Sequence, residues 1–286
     1  MKSILIAMDE SKAGKSALNV GVALAKICAA KVKGLYVEDI MRLLEWQPTE
    51  LIAAGVGLST GIPTSRPTEE QVEIEKQFIT EGSRLEKSFG EECNKFTVSG
   101  QFSTRRGKVH EIIEEAARTV DLIIIGKRGK TYPEGSKEPG PVTEDLLRAT
   151  TKPVLVVPEN AKVNNKILIA YDGSQNSQRA LSIGASFAKL LNFEVIVVSV
   201  ANNIDASQKP LDEAREFLAP YELSATYVTG FGASMPWIEI AKQVKIFDPG
   251  LIVLGAFGEN KLMELIFGST TKQVLMEATC PVLLCR

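Results

Sequence analysis

Three glycines followed by two hydroxyl side chains form the segment of this sequence best suited to bind phosphate. Gly255, Gly258 and Gly268 are separated by two and then nine residues, and Ser269 and Thr270 follow directly. Glycine has no Cβ, so the backbone can approach a ribose or a phosphate closely. The pattern after Gly268 predicts a helix, whose free N–H groups at the N-terminus attract anions. Ser269 or Thr270 would also suit an ordinary helix N-cap, so the prediction rests on the ordered combination.

A carboxylate is predicted to face the same crevice. Asp172 follows the apolar run 167–171, which reads as the first strand of the C-terminal half. In doubly wound α/β sheets, ligands bind outside the carboxyl ends of the strands, where the strand order reverses. At that position Asp172 would reach ribose hydroxyls or a bound metal.

The elements that must position these residues occur twice in the chain. Residues 3–11, SILIAMDES, read almost as residues 166–174, KILIAYDGS, and DLIIIG at 121–126 matches GLIVLG at 250–255. Nearly continuous apolar runs alternate with helical patterns, which is typical of strands buried on both faces of a parallel sheet. We therefore predict the α/β class, with two tandem domains, each a five-stranded parallel sheet with helices on both faces.

The predicted boundaries follow from these patterns. In the first copy we expect strands at 3–8, 32–37, 95–102, 121–125 and 153–157, and helices at 13–30, 68–92, 108–119 and 142–149. The domains are predicted to span 1–160 and 164–286, joined by a short polar linker. The first copy also carries an insertion after its second strand, with a glycine-rich loop at 55–63. This insertion is interpreted as a surface excursion, a partner-binding element or a mobile lid.

These features together resemble the universal stress protein family, in its ATP-binding branch, over essentially the whole chain twice. The resemblance rests on residues 169–174, on the glycine motif at 255–269 and on the closing segment 280–284, CPVLL. It implies flavodoxin-like domains, with ATP in the C-terminal crevice and Mg²⁺ or Mn²⁺ on the phosphates. Asp172 and Val200 would line the adenosine end, and no catalytic residue is implied. The binding residues given by the resemblance are Ala170, Asp172, Val200, Gly255, Gly258, Gly268, Ser269 and Thr270.

The N-terminal copy departs from this motif. In this copy the residues Asp9, Val37, Gly126 and Gly129 correspond to Asp172, Val200, Gly255 and Gly258. Ten residues then separate Gly129 from Gly140, and Pro141 stands where the other copy has serine. Proline lacks both a hydroxyl and a backbone N–H that a phosphate would use. We therefore predict that this site is impaired or altered for ATP.

Two features of the first copy would compensate for the missing serine. The Thr143 hydroxyl would replace the missing serine from one turn later, and the side chains of Lys127, Arg128 and Lys130 would supply positive charge. The same run of cations is equally consistent with a solvated loop.

Composition excludes several other classes. The formal net charge of -2 gives no electrostatic reason to expect nucleic acid or an acidic membrane as a partner. His110 is the only histidine, which argues against a Ser-His-Asp hydrolase or a histidine-rich metal site. The N-terminal apolar run is too short for a signal peptide, and no apolar stretch approaches the roughly 20 residues of a membrane span. The four cysteines are scattered and read as thiols of a reducing compartment, so we expect a cytoplasmic protein.

The last strand of each copy is short, flat and apolar, and it would lie at a sheet edge. Exposed edges of this kind promote aggregation. Antiparallel pairing of 154–157 with 282–285 would cover both, so we predict a pseudo-dimer of the two domains within one chain. Association of two chains remains open.

Three functions agree with these observations. The leading one is an ATP-binding regulatory protein of the stress response, acting on a protein partner that the sequence does not identify. The second is a slow ATPase or phosphotransferase, although no convincing general base or nucleophile lies near the motif. The third is a scaffold whose crevices bind another small ligand.

Overall fold

The computed structural model describes residues 1–44, 68–130, 133, 136–232, 234–256 and 269–286. Gly258 and Gly268 lie outside the described residues, as does the insertion from residue 45 to residue 67. The described start of the insertion is a short helix. Within these ranges, no helix is both long enough and apolar enough to cross a membrane.

Strands and helices alternate along both halves. The first half contains β1 (Ser3–Met8), α1 (Lys12–Cys28), β2 (Lys31–Asp39), α2 (Ile40–Leu44), α3 (Glu69–Phe96), β3 (Gly100–Gly107), α4 (Val109–Ala117), β4 (Leu122–Gly126), α5 (Pro141–Ala149) and β5 (Val154–Val157). The second half contains β6 (Lys166–Ala170), α6 (Gln175–Leu191), β7 (Glu194–Ala201), α7 (Ile204–Leu218), a 3₁₀ turn (Ala219–Tyr221), β8 (Ala225–Phe231), α8 (Pro236–Phe247), β9 (Leu251–Gly255), α9 (Ser269–Glu277) and β10 (Val282–Cys285).

The ten strands form one continuous sheet in the order β3-β2-β1-β4-β5-β10-β9-β6-β7-β8. Strands within each half pair in parallel, whereas β5 and β10 pair antiparallel, with Leu283 opposite Leu155. The predicted pairing of the two apolar closing strands within one chain is therefore confirmed. It converts two exposed edges into the centre of the sheet.

The core covers both faces of this sheet. Ile4 and Ile6 of β1 point into one cluster of buried side chains, and Leu5 points into the other. Leu155 and Leu283 join the first cluster, so the core continues from one half into the other. The continuous apolar runs of the sequence are explained by this two-sided burial, which confirms the predicted α/β class with tandem domains.

The repeated sequence builds the same local structure at the start of each half. The hydroxyl of Ser11 caps α1 by accepting from the N–H of Gly14, and Ser174 caps α6 by accepting from Ser177. Asn192 then ends α6 in the left-handed region, at φ 54°. Serine at the N-cap satisfies a helix N–H that would otherwise lack a partner.

The third strand was predicted in the wrong place. The apolar residues near 96–102 predicted a strand at 95–102, but α3 continues to Phe96 and β3 begins at Gly100. Thr97 ends the helix at φ 55°, and Phe96 and Val98 pack against the core from the helix end. Because β3 is an edge strand with mostly polar, exposed residues, its own sequence lacks the apolar signal of a buried strand.

Candidate functional site

Two crevices lie where the strand order reverses. In the first half β1 lies between β2 and β4, and in the second half β6 lies between β7 and β9. Asp9 follows β1 and Asp172 follows β6, so each carboxylate is at the carboxyl edge of the sheet beside a switch point. This is the place where open α/β sheets bind ligands.

In the C-terminal crevice, Asp172 is exposed and locally fixed. Its Oδ1 accepts from the N–H of Ser174 at 3.0 Å. Partial burial would raise the pKa of Asp172, but hydrogen bonds from Ser174 and Ser177 outweigh it and hold the pKa below its usual range. The group is therefore an ionised acceptor at neutral pH, available to hydroxyls or to a cation.

Several of the predicted binding residues share this edge. Ala170 and Val200 lie at the carboxyl ends of β6 and β7 and are partly buried, and Gly255 ends β9. These strands are parallel, so their carboxyl ends meet at one edge. Ser269 and Thr270 open α9. Their contact with a ligand stays a prediction, because the segment between Gly255 and Ser269 is mostly outside the described residues.

The two strand-ending glycines also have a packing role that the sequence did not reveal. A Cβ on Gly255 would lie 2.5 Å from the backbone nitrogen of Ser177, in the first turn of α6. A Cβ on Gly126 would lie 2.8 Å from the backbone nitrogen of Gly14, in α1. Glycine is therefore required for helix–strand contact in both halves, whether or not a ligand binds.

Asn176 is a positioning residue that sequence reasoning missed. Its Nδ2 donates to the carbonyl oxygen of Ala256 at 2.8 Å, which fixes the chain leaving β9. The first copy has Ala13 at the matching position, so comparison of the repeats would have pointed to Asn176.

The N-terminal crevice contains a cavity of about 180 Å³. Its apolar walls come from β1, β2, β4 and the helices α3, α4 and α5. They include Ala7, Met8, Leu35, Val37, Phe78, Val109, Ile113, Ile125 and Val142. The polar part of its lining includes four carboxylates, on Asp9, Glu10, Asp39 and Glu81, and three cations, on Arg42, Arg128 and Lys130.

Asp9 differs electrostatically from its repeat counterpart. Its Oδ1 accepts from the N–H and the hydroxyl of Ser11 at 3.1 and 2.6 Å, and its Oδ2 accepts from the N–H of Lys130 at 3.0 Å. Burial nevertheless dominates and raises the pKa of Asp9. The ionised form of Asp172 is therefore stabilised, whereas the ionised form of Asp9 is destabilised.

Three hydrogen-bond donors beside the first-half crevice are already engaged. The N–H of Lys130 donates to Asp9, and the N–H of Gly140 donates to the carbonyl oxygen of Lys127 at 2.9 Å. The Thr143 hydroxyl donates to the carbonyl oxygen of Gly126 at 3.1 Å. The idea that Thr143 replaces the missing serine is therefore wrong, because its proton is used inside the protein.

The cations in this loop do not provide a phosphate site either. Lys127 is buried, and its Nζ donates to the carbonyl oxygen of Met276 at 2.9 Å, away from the crevice. The ammonium of Lys130 lies 2.8 Å from a carboxylate oxygen of Glu10 and 2.7 Å from one of Glu81. The guanidinium of Arg128 lies 3.5 Å from a carboxylate oxygen of Glu159. All three cations are therefore paired within the protein, which contradicts the interpretation of the run as compensating charge.

Tyr36 and Glu81 complete a polar rim that no sequence pattern indicated. The Tyr36 hydroxyl donates to Glu81 at 3.0 Å, and burial with this contact raises the pKa of Tyr36 above its usual range. Glu81 lies on the long helix α3, far along the chain from Tyr36 and Lys130. Only the tertiary structure brings these three together.

The fold and its crevices define a tandem doubly wound α/β protein whose two halves share one sheet. The sequence pattern of the universal stress protein family matches residues 1–158 and again residues 164–286. The chain belongs to this family.

Individual relatives agree with that assignment. Universal stress protein Slr1230 of Synechocystis sp. is 26% identical over 291 residues, covering 99% of each chain. Universal stress protein Rv2005c of Mycobacterium tuberculosis is 24% identical over 231 residues, covering 74% of this chain and 76% of its own. The crystal structure of a universal stress protein from Archaeoglobus fulgidus superimposes with a TM-score of 0.76, at 19% identity, over 99% of this chain and 98% of that one. This last similarity shows the shared fold.

Proposed function

We propose that this universal stress protein is a regulatory protein that binds ATP in its C-terminal crevice. The observation that carries the proposal is the exposed, ionised carboxylate of Asp172 at the switch point, on the same sheet edge as Gly255. Ala170 and Val200 provide partly buried apolar surface beside it. A nucleoside needs this combination, since its base buries apolar area while its ribose offers hydroxyl donors.

The residues at the start of α9 suit the phosphate end. Ser269 is exposed in the first position of that helix, and its hydroxyl and the nearby N–H groups suit phosphate oxygens. Among the described residues, no group of three or more His, Cys, Asp or Glu side chains is placed to hold a metal. We propose that Mg²⁺ or Mn²⁺ binds together with the phosphates.

A reducing, cytoplasmic location is part of the proposal. Cys28, Cys93, Cys280 and Cys285 are all free thiols. Burial raises the pKa of Cys280 and Cys285 to about 12, so both are unreactive as nucleophiles. Unpaired structural cysteines are typical of proteins from reducing compartments.

The first test is the nucleotide content of the purified protein after denaturation. About one ATP per chain is expected, and two would show that the N-terminal crevice also binds ATP. ADP that accumulates beyond one equivalent on incubation with Mg-ATP would instead favour a slow ATPase. Absence of nucleotide, together with no binding of added Mg-ATP, would reject the proposal.

Exchanging the two domains' residues at the start of the phosphate helix tests the assignment directly. Ser269→Pro removes a hydroxyl and an N–H, and proline is tolerated in the first turn of a helix. We expect it to abolish ATP binding in calorimetry. The matched variant Pro141→Ser should leave the stoichiometry unchanged, because the neighbouring donors of the first half remain engaged. Retained affinity in Ser269→Pro would overturn the phosphate assignment.

A further inference from the structure

We infer that the first half of the chain positions α9, the proposed phosphate-binding helix of the second half, and that Lys127 is the main positioning residue. This role rests on the proposed function, because α9 begins at Ser269, where the ATP phosphates are proposed to bind. The first half contacts α9 at its last turn and again one turn after its start.

The contacts come mostly from the loop between β4 and α5, residues 127–140, which is called the β4–α5 loop below. It is the counterpart of the segment that carries the glycine motif in the second half. Three of its described side chains, on Lys127, Lys137 and Glu138, reach residues of α9. The helix that follows the loop begins at Pro141, which lacks the N–H of the matching serine. A loop altered for phosphate thus contacts the phosphate helix of the other half.

Lys127 holds the end of α9. Its side chain is buried, and its Nζ donates to the carbonyl oxygen of Met276 at 2.9 Å. The last carbonyls of a helix have no N–H partner within the helix, and a cation there also interacts favourably with the helix dipole. The backbone of Lys127 is fixed as well, because its N–H donates to Val157 at 2.8 Å and its carbonyl oxygen accepts from Gly140 at 2.9 Å. The contact therefore ties α9 to an immobilised residue of the first half.

Ion pairs hold both ends of the same helix. The ammonium of Lys137 lies 3.1 Å from a carboxylate oxygen of Glu277, the last residue of α9. Near the helix start, the ammonium of Lys272 lies 3.3 Å from Glu144 and 3.8 Å from Glu138. Exposed pairs of this kind contribute little individually. Together with the buried contact of Lys127, they fix the direction of α9.

The charges at one of these contacts differ between the two halves. Glu144 of α5 and Lys272 of α9 occupy matching positions in the repeat, each three residues after the start of its helix. Matching positions meet only near the pseudo-twofold axis, where two identical halves would bring like charges together. Here the two charges are opposite and attract. The contact is therefore built for two different halves, only one of which is proposed to bind ATP.

The direction of α9 matters because hydrogen bonds from its free N–H groups to phosphate are directional. The helix has nine residues and is about 14 Å long, so a small tilt at its end displaces its start. A helix that is already held in place does not have to be ordered when the ligand binds, which favours affinity. The coupling is reciprocal, so bound ATP should in turn stabilise the contacts with the first half.

Calorimetry of the full chain with Mg-ATP tests the role of Lys127. Lys127→Met keeps a long apolar side chain but removes the ammonium, and we expect about five- to twentyfold weaker affinity with unchanged stoichiometry. Lys87→Met is the control for the loss of one positive charge, since Lys87 is exposed on α3 and pairs with Glu91 at 3.9 Å. Equal affinity in the two variants would overturn the inference.

A charge exchange at exposed residues gives an independent test that does not disturb the core. Lys137→Glu and Glu277→Lys each place like charges together at the end of α9, and the double variant restores an attractive pair. We expect each single variant to bind ATP about two- to fivefold more weakly and the double variant to recover. Loss of affinity without recovery would show that this pair does not hold the helix.

Hydrogen exchange separates positioning from a purely structural role. Without nucleotide, the amides of α9 should exchange faster in Lys127→Met than in Lys87→Met, whereas those of α6 should not change. Mg-ATP should slow exchange in the β4–α5 loop of wild type but not of Lys127→Met. Faster exchange in α9 without this effect of ATP would show a structural role only and would overturn the inference. If wild type bound no ATP, the proposed function would fail as well, whereas ATP binding with unchanged affinity in the variants would reject the inference alone.

Discussion

The ammonium of Lys127 in the first half donates to the carbonyl oxygen of Met276 in the second half, at 2.9 Å. Met276 lies in the last turn of α9, the helix whose first residue is Ser269. The reverse contact is also present. Nη1 of Arg286 in the second half donates to the carbonyl oxygen of Arg148, in the last turn of α5, at 3.0 Å. Each half therefore places a cation at the C-terminal, negative end of a crevice helix from the other half.

The contact of Lys127 predicts a specific pH dependence of stability. Burial, with a smaller contribution from the charge of Arg128, lowers the pKa of Lys127 from 10.5 to about 8. Between these values the unfolded chain binds the proton and the folded chain does not, so the free energy of unfolding rises with pH in that window. Lys127→Met removes this effect. The stability difference, wild type minus variant, should therefore grow by about 3 kcal/mol from pH 7.5 to pH 10.5.

Urea unfolding at a series of pH values measures this difference, and titrating groups common to both proteins cancel. Lys87→Met is the control for the loss of one ammonium, since Lys87 is exposed on α3, pairs with Glu91 at 3.9 Å and is not among the charges that shift the pKa of Lys127. Its difference from wild type should not show the increase expected for Lys127→Met. If the free energy of unfolding changed equally with pH in Lys127→Met and in wild type, the pKa of Lys127 would not be lowered in the folded protein.

The two strand-ending glycines should contribute to stability independently of any ligand. Gly255→Ala and Gly126→Ala each force a Cβ against helix backbone at 2.5–2.8 Å, and backbone cannot rotate away as a side chain can. We expect each to lower the free energy of unfolding by about 1–3 kcal/mol. Gly90→Ala is the control, because a Cβ there meets nothing within 4 Å inside α3, and it should stabilise by about 0.5–1 kcal/mol.

Thermal or denaturant unfolding without nucleotide distinguishes the two roles of Gly255. If Gly255→Ala lost ATP affinity with unchanged stability, the glycine would serve the ligand alone and the packing argument would be wrong.

The antiparallel joint between the halves should appear as energetic coupling between Leu155 and Leu283. These residues are partners in the β5–β10 register and are almost completely buried. Each mutation to alanine should cost about 2–5 kcal/mol, and a double-mutant cycle should give a coupling of about 0.5–3 kcal/mol. Leu155→Ala with Val197→Ala is the control pair, because β7 lies several strands away and these effects should add. Additivity for Leu155 and Leu283 would show that the two strands are not paired in solution.

Features of the fold that are repeated and buried could be predicted from the sequence. The strands buried on both faces could be located because their apolar runs are continuous, and β5–β10 pairing followed from two exposed apolar edges. The edge strand β3 has no such run, so the apolar end of α3 at Phe96 was mistaken for it. Local pattern therefore predicted the interior of the sheet better than its rim.

The state of the N-terminal crevice could be predicted only in part. Pro141 predicts an altered site, because the loss of a donor is a property of the residue itself. The fate of Thr143 and Lys130 depended on partners distant in sequence, namely the carbonyl of Gly126 and the carboxylate of Glu81. No spacing rule predicts which acceptor a hydroxyl or an ammonium will reach after folding.

The repeated aspartates Asp9 and Asp172 should affect stability with opposite pH dependence. The pKa of Asp9 is raised by burial, so the folded chain holds its proton to higher pH, and its contribution to stability falls as pH rises above about 4. The pKa of Asp172 is lowered, since hydrogen bonds from Ser174 and Ser177 outweigh partial burial, so its contribution is present above about pH 4 and is lost as pH falls below that value. Denaturant unfolding of Asp9→Asn and Asp172→Asn between pH 3 and pH 6.5 compares them. The stability difference, wild type minus variant, should decrease with pH for Asp9→Asn and increase for Asp172→Asn. If the two stability differences changed with pH in the same direction, the proposed electrostatic difference between Asp9 and Asp172 would be wrong.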